Sequence, residues 1–263
     1  METENQTFWE HLDVLRTMLI KIVVITILFG VVAFLFKDEL FAIVLAPKES
    51  EFVTYRLFRR LNMLGTAGDA PASFYVKLVN TGLAEQFIIH MQTAVSAGVL
   101  CASPYILYLL FCFVSPALYS NERKYALGIV GSGYFMFMIG ILVSYFLIFP
   151  FTFRFLGTYQ VSSEVENMIT LQSYMSTLIM MCLAMGFVFE MPVLAWLFAK
   201  FGFISSASMR RYRKHAYVVI LIAAAIITPT SDIFTLLLVS LPMFLLYEIS
   251  IFITKATLTV STL

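Results

Sequence analysis

The sequence predicts an all-α integral membrane protein, and two observations carry that prediction. Its 263 residues are 60% hydrophobic and 13% charged, with a mean hydropathy of +0.90, whereas soluble domains run about 45 to 50% apolar and about 25% charged. The apolar residues also gather into six runs, at 18–36, 87–113, 126–153, 174–198, 216–227 and 233–253. Crossing a hydrocarbon core of roughly 30 Å takes about 20 apolar residues in a helix, which the first four runs supply. The last two read as shorter spans forming a hairpin, because Thr228-Pro229-Thr230-Ser231-Asp232 between them offers a helix breaker and N-cap residues. The expectation is one transmembrane domain over residues 1–263, with no internal repeat or linker to divide it.

Taking the elements in order, the first ten residues are acidic and polar where a leader would be basic and then apolar, so the first span is expected to insert itself. Thr7-Phe8-Trp9-Glu10 fits a capping box, opening an interfacial helix with Phe8, Leu12, Leu15 and Leu19 on one face. Glu10, Asp13 and Arg16 ring the opposite face. A plain membrane anchor and a ligand-facing charged surface both fit that pattern.

The connection at 37–85, about 49 residues long, is too long for an idle link and is expected to cap one membrane face. After the second run, Pro116 ends a helix and Glu122 begins the next, where an acid suits the helix dipole as well as it would suit a cationic ligand. Short connections hold Arg123 and Lys124 in one place and a basic cluster from Lys200 to Lys214 in another, against Arg154 on the other side. Lys/Arg bias of this kind places both termini in the cytoplasm.

The fourth run contains Glu190, about 15 Å along the helix from Lys200 and so near the bilayer midplane. A charged side chain there costs about 2.5 to 3.5 kcal/mol on insertion scales and is retained when protonated, paired or wetted. Pro192 cannot donate a backbone bond and crowds the carbonyl of Val188, which predicts a kink and a free acceptor beside the acid. A buried acid satisfied by its own helix and a functional polar contact are both compatible with this. The fifth run, about 12 residues, is too short for an ordinary bilayer. In the sixth, Glu248 lies near Lys255 and is placed to snorkel, and Asp232 most simply caps the helix start.

Several function classes are excluded or weakened. A net charge of +1 gives no field for nucleic acid. Cys101, Cys112 and Cys182 lack metal spacing and are odd in number, so they read as core residues. There is no phosphate-binding loop, no zinc-protease helix and no nucleophile elbow, and His11, His90 and His215 are far apart; neither an enzyme nor a cofactor is expected. An intramembrane acid alone would also suit a proton-coupled secondary transporter using Glu190, although such proteins usually carry inverted repeats.

A further set of pieces occurs in order: His11-Leu12 with Leu15-Arg16, Ala46-Pro47, Ser103-Pro104-Tyr105-Ile106-Leu107-Tyr108, Pro116-Ala117-Leu118-Tyr119 with Glu122-Arg123, Tyr145-Phe146, Phe149-Pro150, Phe189-Glu190 with Pro192, and Thr228-Pro229 with Asp232. Taken together they resemble the TatC family, the multispanning core and receptor subunit of the twin-arginine protein translocase. The resemblance implies a six-helix bundle in the bacterial inner membrane, with an N-terminal interfacial helix and short fifth and sixth spans. It implies that Glu122, Glu10, Asp13, Arg16, Phe113, Leu118 and Tyr119 bind the Arg-Arg motif of signal peptides on folded export substrates. Two carboxylates suit that task, because guanidinium pairs bidentately with carboxylate and keeps its charge.

It further implies that Glu190, Thr228 and Thr235 meet single-span TatA- or TatB-like partners, that Pro47, Pro116, Pro150, Pro192 and Asp232 shape the bundle, that the receptor is homo-oligomeric, and that transport draws on the proton-motive force. One departure stands out. The glutamate of the family's His-Leu-x-Glu-Leu-Arg falls here on Val14, with Asp13 adjacent but turned by about 100° and Glu10 one turn earlier on the same face. Glu10 is the slightly favoured substitute. Leu236 stands where the family often has a glutamine that helps bind partner helices.

Overall fold

The computed structural model describes residues 8–60, 76–114, 126–162, 164, 167–228 and 232–260. By internal contacts the chain separates into two compact units, Met1–Lys37 with Met91–Phe135, and Asp38–His90 with Met136–Leu263.

The first unit is built on α1 (Phe8–Leu35) and most of α4 (Glu85–Val114), with the start of α5 (Ala126–Val143). No proline lies between Trp9 and Leu35, so the expected interfacial segment is not a separate helix: it runs unbroken into the first span as one helix of 28 residues. Thr7 of the capping box lies outside the described residues. α1 and α4 cross closely at Gly98, where a Cβ would lie 2.6 Å from the carbonyl oxygen of Thr26 and 2.7 Å from the nitrogen of Gly30. Only glycine admits that approach. Pro104 sits inside α4 and has no N–H for the carbonyl of Leu100 four residues earlier; the Ser103 hydroxyl donates to that oxygen instead, at 2.7 Å.

The second unit begins with α2 (Lys37–Leu45), a 3-10 turn (Ala46–Lys48) and α3 (Val53–Arg60), followed by the two-residue strand β1 (Leu78–Val79). The rest of α5 passes through a π turn (Ser144–Ile148) into α6 (Phe149–Thr158). Then come β2 (Ile169–Thr170), α7 (Leu171–Phe189), α8 (Met191–Lys200), α9 (Ser206–Arg211), α10 (Arg213–Ile227) and α11 (Ile233–Val260). β1 and β2 pair in parallel, Leu78 against Ile169 and Val79 against Thr170.

The α2–α3 segment is bonded onto the α5–α7 region, as expected of a cap. Pro150 leaves the carbonyl of Phe146 without its helical donor, and the buried Thr54 hydroxyl donates to it. Tyr55 Oη donates to Pro150 O at 2.8 Å and to Pro47 O at 3.2 Å, while Tyr145 Oη reaches Ile43 O at 2.6 Å and Tyr174 Oη reaches Val44 O at 3.0 Å. Burial raises the Tyr55 phenol above its ordinary range, against the opposing pull of Arg154, so it stays a donor at physiological pH. Pro47 and Pro150 therefore hold this contact together; Pro116 lies outside the described residues.

Among the described residues five helices are long and apolar enough to cross a membrane: Leu12–Leu35, Glu85–Phe113, Gly128–Thr158, Leu171–Lys200 and Ile233–Ala256. The fifth apolar run forms α10, whose 15 residues reach about 22 Å. The expectation of a short sixth span is corrected, because α11 has 28 residues. Its polar residues do not end it: Glu248 is satisfied from α10, and Ser250 donates to its own helix at Leu246 O, 2.7 Å away.

Candidate functional site

The expected site residues that are described fall into two groups, one in each unit. In the first unit a cavity of about 430 Å³ opens between the N-terminal half of α1 and the last turns of α4, lined by Asp13, Val14, Thr17, Met18, Lys21, Leu109, Cys112 and Phe113. The α1 residues step by three or four positions and so form one helical stripe. Asp13 and Phe113 are thus brought together, and Val14 stands on the same wall as Asp13. Arg16 is exposed and does not line the cavity. Glu122, Leu118 and Tyr119 lie outside the described residues, as does the side chain of Glu10.

The electrostatics of this cavity favour a cation near its end. Asp13 supplies a carboxylate, and the C-terminal carbonyls of α4 add a partial charge of about −0.5. No basic residue occupies the last turn of α4 to neutralise it. Lys21 stands about 12 Å further along α1, so positive charge is welcome beside Asp13 and repelled deeper in. The apolar remainder, Val14, Met18, Leu109 and Phe113, suits an aliphatic or aromatic side chain. Thr17, Lys21, Leu109 and Cys112 did not emerge from the sequence; the stripe Asp13, Thr17, Lys21 was the signal for half of them.

In the second unit, the fourth apolar run breaks at Glu190, which closes α7 and opens α8 with Pro192 in its first turn. The Glu190 N–H turns back to the carbonyls of Phe187 and Val188, so the acceptor expected to stand free beside the acid is met locally. The side chain is another matter. Glu190 is 8% exposed, and its Oε1 has no hydrogen-bond partner among the described residues. α5 presses against α7 just beside it: a Cβ on Gly140 would meet Met185 O at 2.5 Å and Phe189 Cβ at 2.9 Å.

Thr228 and Thr235 are also buried, at 1% and 0% exposure. Thr228 donates to Ala224 O at 2.9 Å, closing α10, whereas Thr235 Oγ1 is without a partner among the described residues. Asp232 caps α11 as expected, its Oδ1 accepting from Thr235 N at 2.7 Å. Nearby in the chain, Glu248 accepts from Arg213 Nη2 at 2.7 Å and from Tyr217 Oη at 2.6 Å, tying α10 to α11. Arg213 had been read as a topology marker alone.

Comparison with known proteins agrees with the resemblance. The TatC proteins of Blattabacterium from Periplaneta americana and of Carboxydothermus hydrogenoformans are 34% and 32% identical to it over 256 residues each, covering 96% and 97% of this chain and 96% and 95% of theirs. A crystal structure described as the twin-arginine translocase receptor TatC superposes with a TM-score of 0.76 at 29% identity, covering 95% of this chain and all of that one. A family model, described as TatC, Sec-independent protein translocase protein, matches residues 10–242, and the chain belongs to the TatC family.

Proposed function

We propose that this chain is the core receptor subunit of a twin-arginine translocase and that the cavity beside Asp13 takes the arginine pair of a signal peptide. The observation that carries the reading is the cavity itself, where the described residues put one carboxylate, a helix end with no basic residue in its last turn and apolar walls in one place. An arginine docks at Asp13, Lys21 stops it from passing deeper, and the apolar residue that follows packs on Val14, Met18 and Phe113. Glu122, Leu118 and Tyr119 are proposed to complete the site from the segment after α4, Glu10 from the start of α1, and Arg16 from the exposed side of α1.

On this reading single-span partners of the TatA or TatB kind reach Glu190, Thr228 and Thr235, several copies of the chain assemble, and transport is driven by the proton-motive force. The chain works as one transmembrane domain with six spans, in the bacterial inner membrane with both termini in the cytoplasm. A solute transporter would rest on Glu190 alone, whereas family membership supports the translocase.

The test places photoreactive amino acids at Val14 and at Glu190 in the full chain reconstituted in nanodiscs. The Val14 probe is expected to capture an Arg-Arg signal peptide and to capture a Lys-Lys peptide poorly, while the Glu190 probe captures a single-span partner. Equal capture of both peptides at Val14 overturns the assignment.

A further inference from the structure

A second cavity, of about 370 Å³, lies between α6 and the start of α7. Ligand pockets run about 300 to 1,000 Å³, and one water takes up about 30 Å³. Three aromatic and three aliphatic side chains line it together with four polar ones, Thr152, Asn167, Ser173 and Thr177. The Phe149 and Phe153 rings meet Tyr174 edge-on, with centroids 5.1 and 5.0 Å apart, and Leu156 lies on the same lining. Among the described residues no charged side chain lines it, so none of them offers a phosphate or an ammonium group a counter-ion inside.

One polar group there is unspent. Thr152 is 1% exposed, lines the cavity, and its Oγ1 has no hydrogen-bond partner among the described residues. Thr158 donates to Arg154 O and Thr177 to Ser173 O, each at 2.7 Å, while Ser173 stands exposed where water can reach it. Tyr174 Oη is committed to Val44 O, and Asn167 Nδ2 to Gly157 O and Tyr159 O. A buried donor left unmet costs about 1 to 3 kcal/mol, so the site is built for an acceptor carried on an apolar body.

Depth selects the body. The apolar spans Gly128–Thr158 and Leu171–Lys200 end and begin beside the cavity, which on those spans puts it where two helices leave the hydrocarbon, near the interfacial level of lipid ester groups. The rim residue Met168 is 75% exposed, leaving the cavity open to its surroundings. We propose that this cavity binds one phospholipid by the start of an ester-linked acyl chain, the carbonyl accepting from Thr152 and the methylenes lying against Phe149, Phe153 and Tyr174. The headgroup stays outside.

The test uses the full chain in nanodiscs of phosphatidylethanolamine and phosphatidylglycerol. These are doped with a phospholipid bearing a diazirine near the start of one chain, joined by an ester in one arm and by an ether in the other. After irradiation, labelled peptides are mapped by mass spectrometry against the exposed α11 positions Leu241 and Phe252 as the bulk-lipid reference. The ester probe is expected to label the 149–177 peptides above that reference, and Leu156→Trp, which fills the cavity, to remove the excess. Thr152→Val should lower ester labelling roughly twofold to tenfold, the range of one net hydrogen bond, and leave ether labelling unchanged. Thr152→Ser should retain it. Labelling no higher than on α11, insensitivity to Leu156→Trp, or equal ester and ether labelling of the unmodified chain would each overturn the proposal, the last by pointing to water or a protein side chain as the partner of Thr152.

Discussion

The close approach of α5 to α7 beside Glu190 makes a prediction with its own control. In Gly140→Ala the new methyl would stand 2.5 Å from Met185 O and 2.9 Å from Phe189 Cβ and Cγ. Backbone oxygen cannot rotate away as a flexible side chain can, so α7 must retreat by about 1 Å to restore ordinary contact near 3.5 Å. Overpacking of this kind costs about 1 to 3 kcal/mol. Alanine also gains about 1 kcal/mol over glycine in a helix interior, which partly masks the clash. Gly131 lies in the same helix with nothing within 4 Å of its built Cβ, so Gly131→Ala reports the helix gain alone. The two variants should therefore differ by about 1 to 3 kcal/mol, Gly131→Ala more stable than the parent and Gly140→Ala equal to it or weaker. Reversible unfolding of the full chain in dodecylmaltoside by added dodecyl sulfate, with Trp9 replaced by Phe in every variant, reads the difference through the fluorescence of Trp196, which lies on α8 beyond the Glu190 break. Gly140→Ala as stable as Gly131→Ala would refute the crossing. A drop in partner capture at Glu190 by Gly140→Ala alone would tie the crossing to the acid, since the displaced Phe189 is its neighbour.

Three further outcomes follow from single contacts. Asp13→Asn should weaken binding of an Arg-Arg signal peptide about fivefold at low salt, the loss shrinking as salt screens an exposed carboxylate, while a Lys-Lys peptide barely responds; titration of a fluorescent peptide against the nanodisc-held chain measures both. Thr54→Val strands the carbonyl that Pro150 leaves without a donor and should cost about 1 to 3 kcal/mol in dodecyl sulfate unfolding, whereas Thr54→Ser should cost little. Glu248→Gln discharges the pair with Arg213, whose two side chains are about 40% exposed, so the loss should stay near 1 kcal/mol; a much larger fall in melting temperature than Thr54→Val produces would show that the pair does more than join α10 to α11.

How much of this was written in the sequence depends on the distance over which each effect acts. The four long spans follow from run length alone, and the break at Glu190 follows from Pro192. Each proline also announces an orphan carbonyl four residues back, but its remedy is legible only when close by. Ser103 beside Pro104 advertises the bond to Leu100, while Thr54, which serves Phe146, comes from 92 positions away. Glu248 shows the same limit: Lys255 was its near neighbour in sequence, and the partner the fold supplies is Arg213, 35 positions back. For Asp13, a single helical wheel set it about 100° from Val14, yet both line one cavity because α4 provides the facing wall. A wheel describes one helix, and a groove needs two. The length of α11 was underestimated because an apolar run marks the part of a helix that suits lipid, while the helix itself continues through 254–260 beyond the last apolar stretch.

Glu190 itself brings these threads together. Its backbone N–H is consumed by the turn that Pro192 forces, so what it offers is the side chain, held at the junction of two helix segments and braced by the α5 crossing at Gly140. A charged carboxylate near the bilayer midplane costs about 2.5 to 3.5 kcal/mol to insert, while a single intramembrane hydrogen bond returns about 0.6 kcal/mol on average. One partner contact therefore cannot account for the acid as a source of affinity. On the proposed reading such a contact would supply direction: a polar group on a passing helix has few places in hydrocarbon to go, and a buried, unspent oxygen would set both its depth and its rotation. The rigidity of the break matters more to that role than the strength of the bond, because an acceptor on a continuous, freely rotating helix would leave the register of the partner undefined.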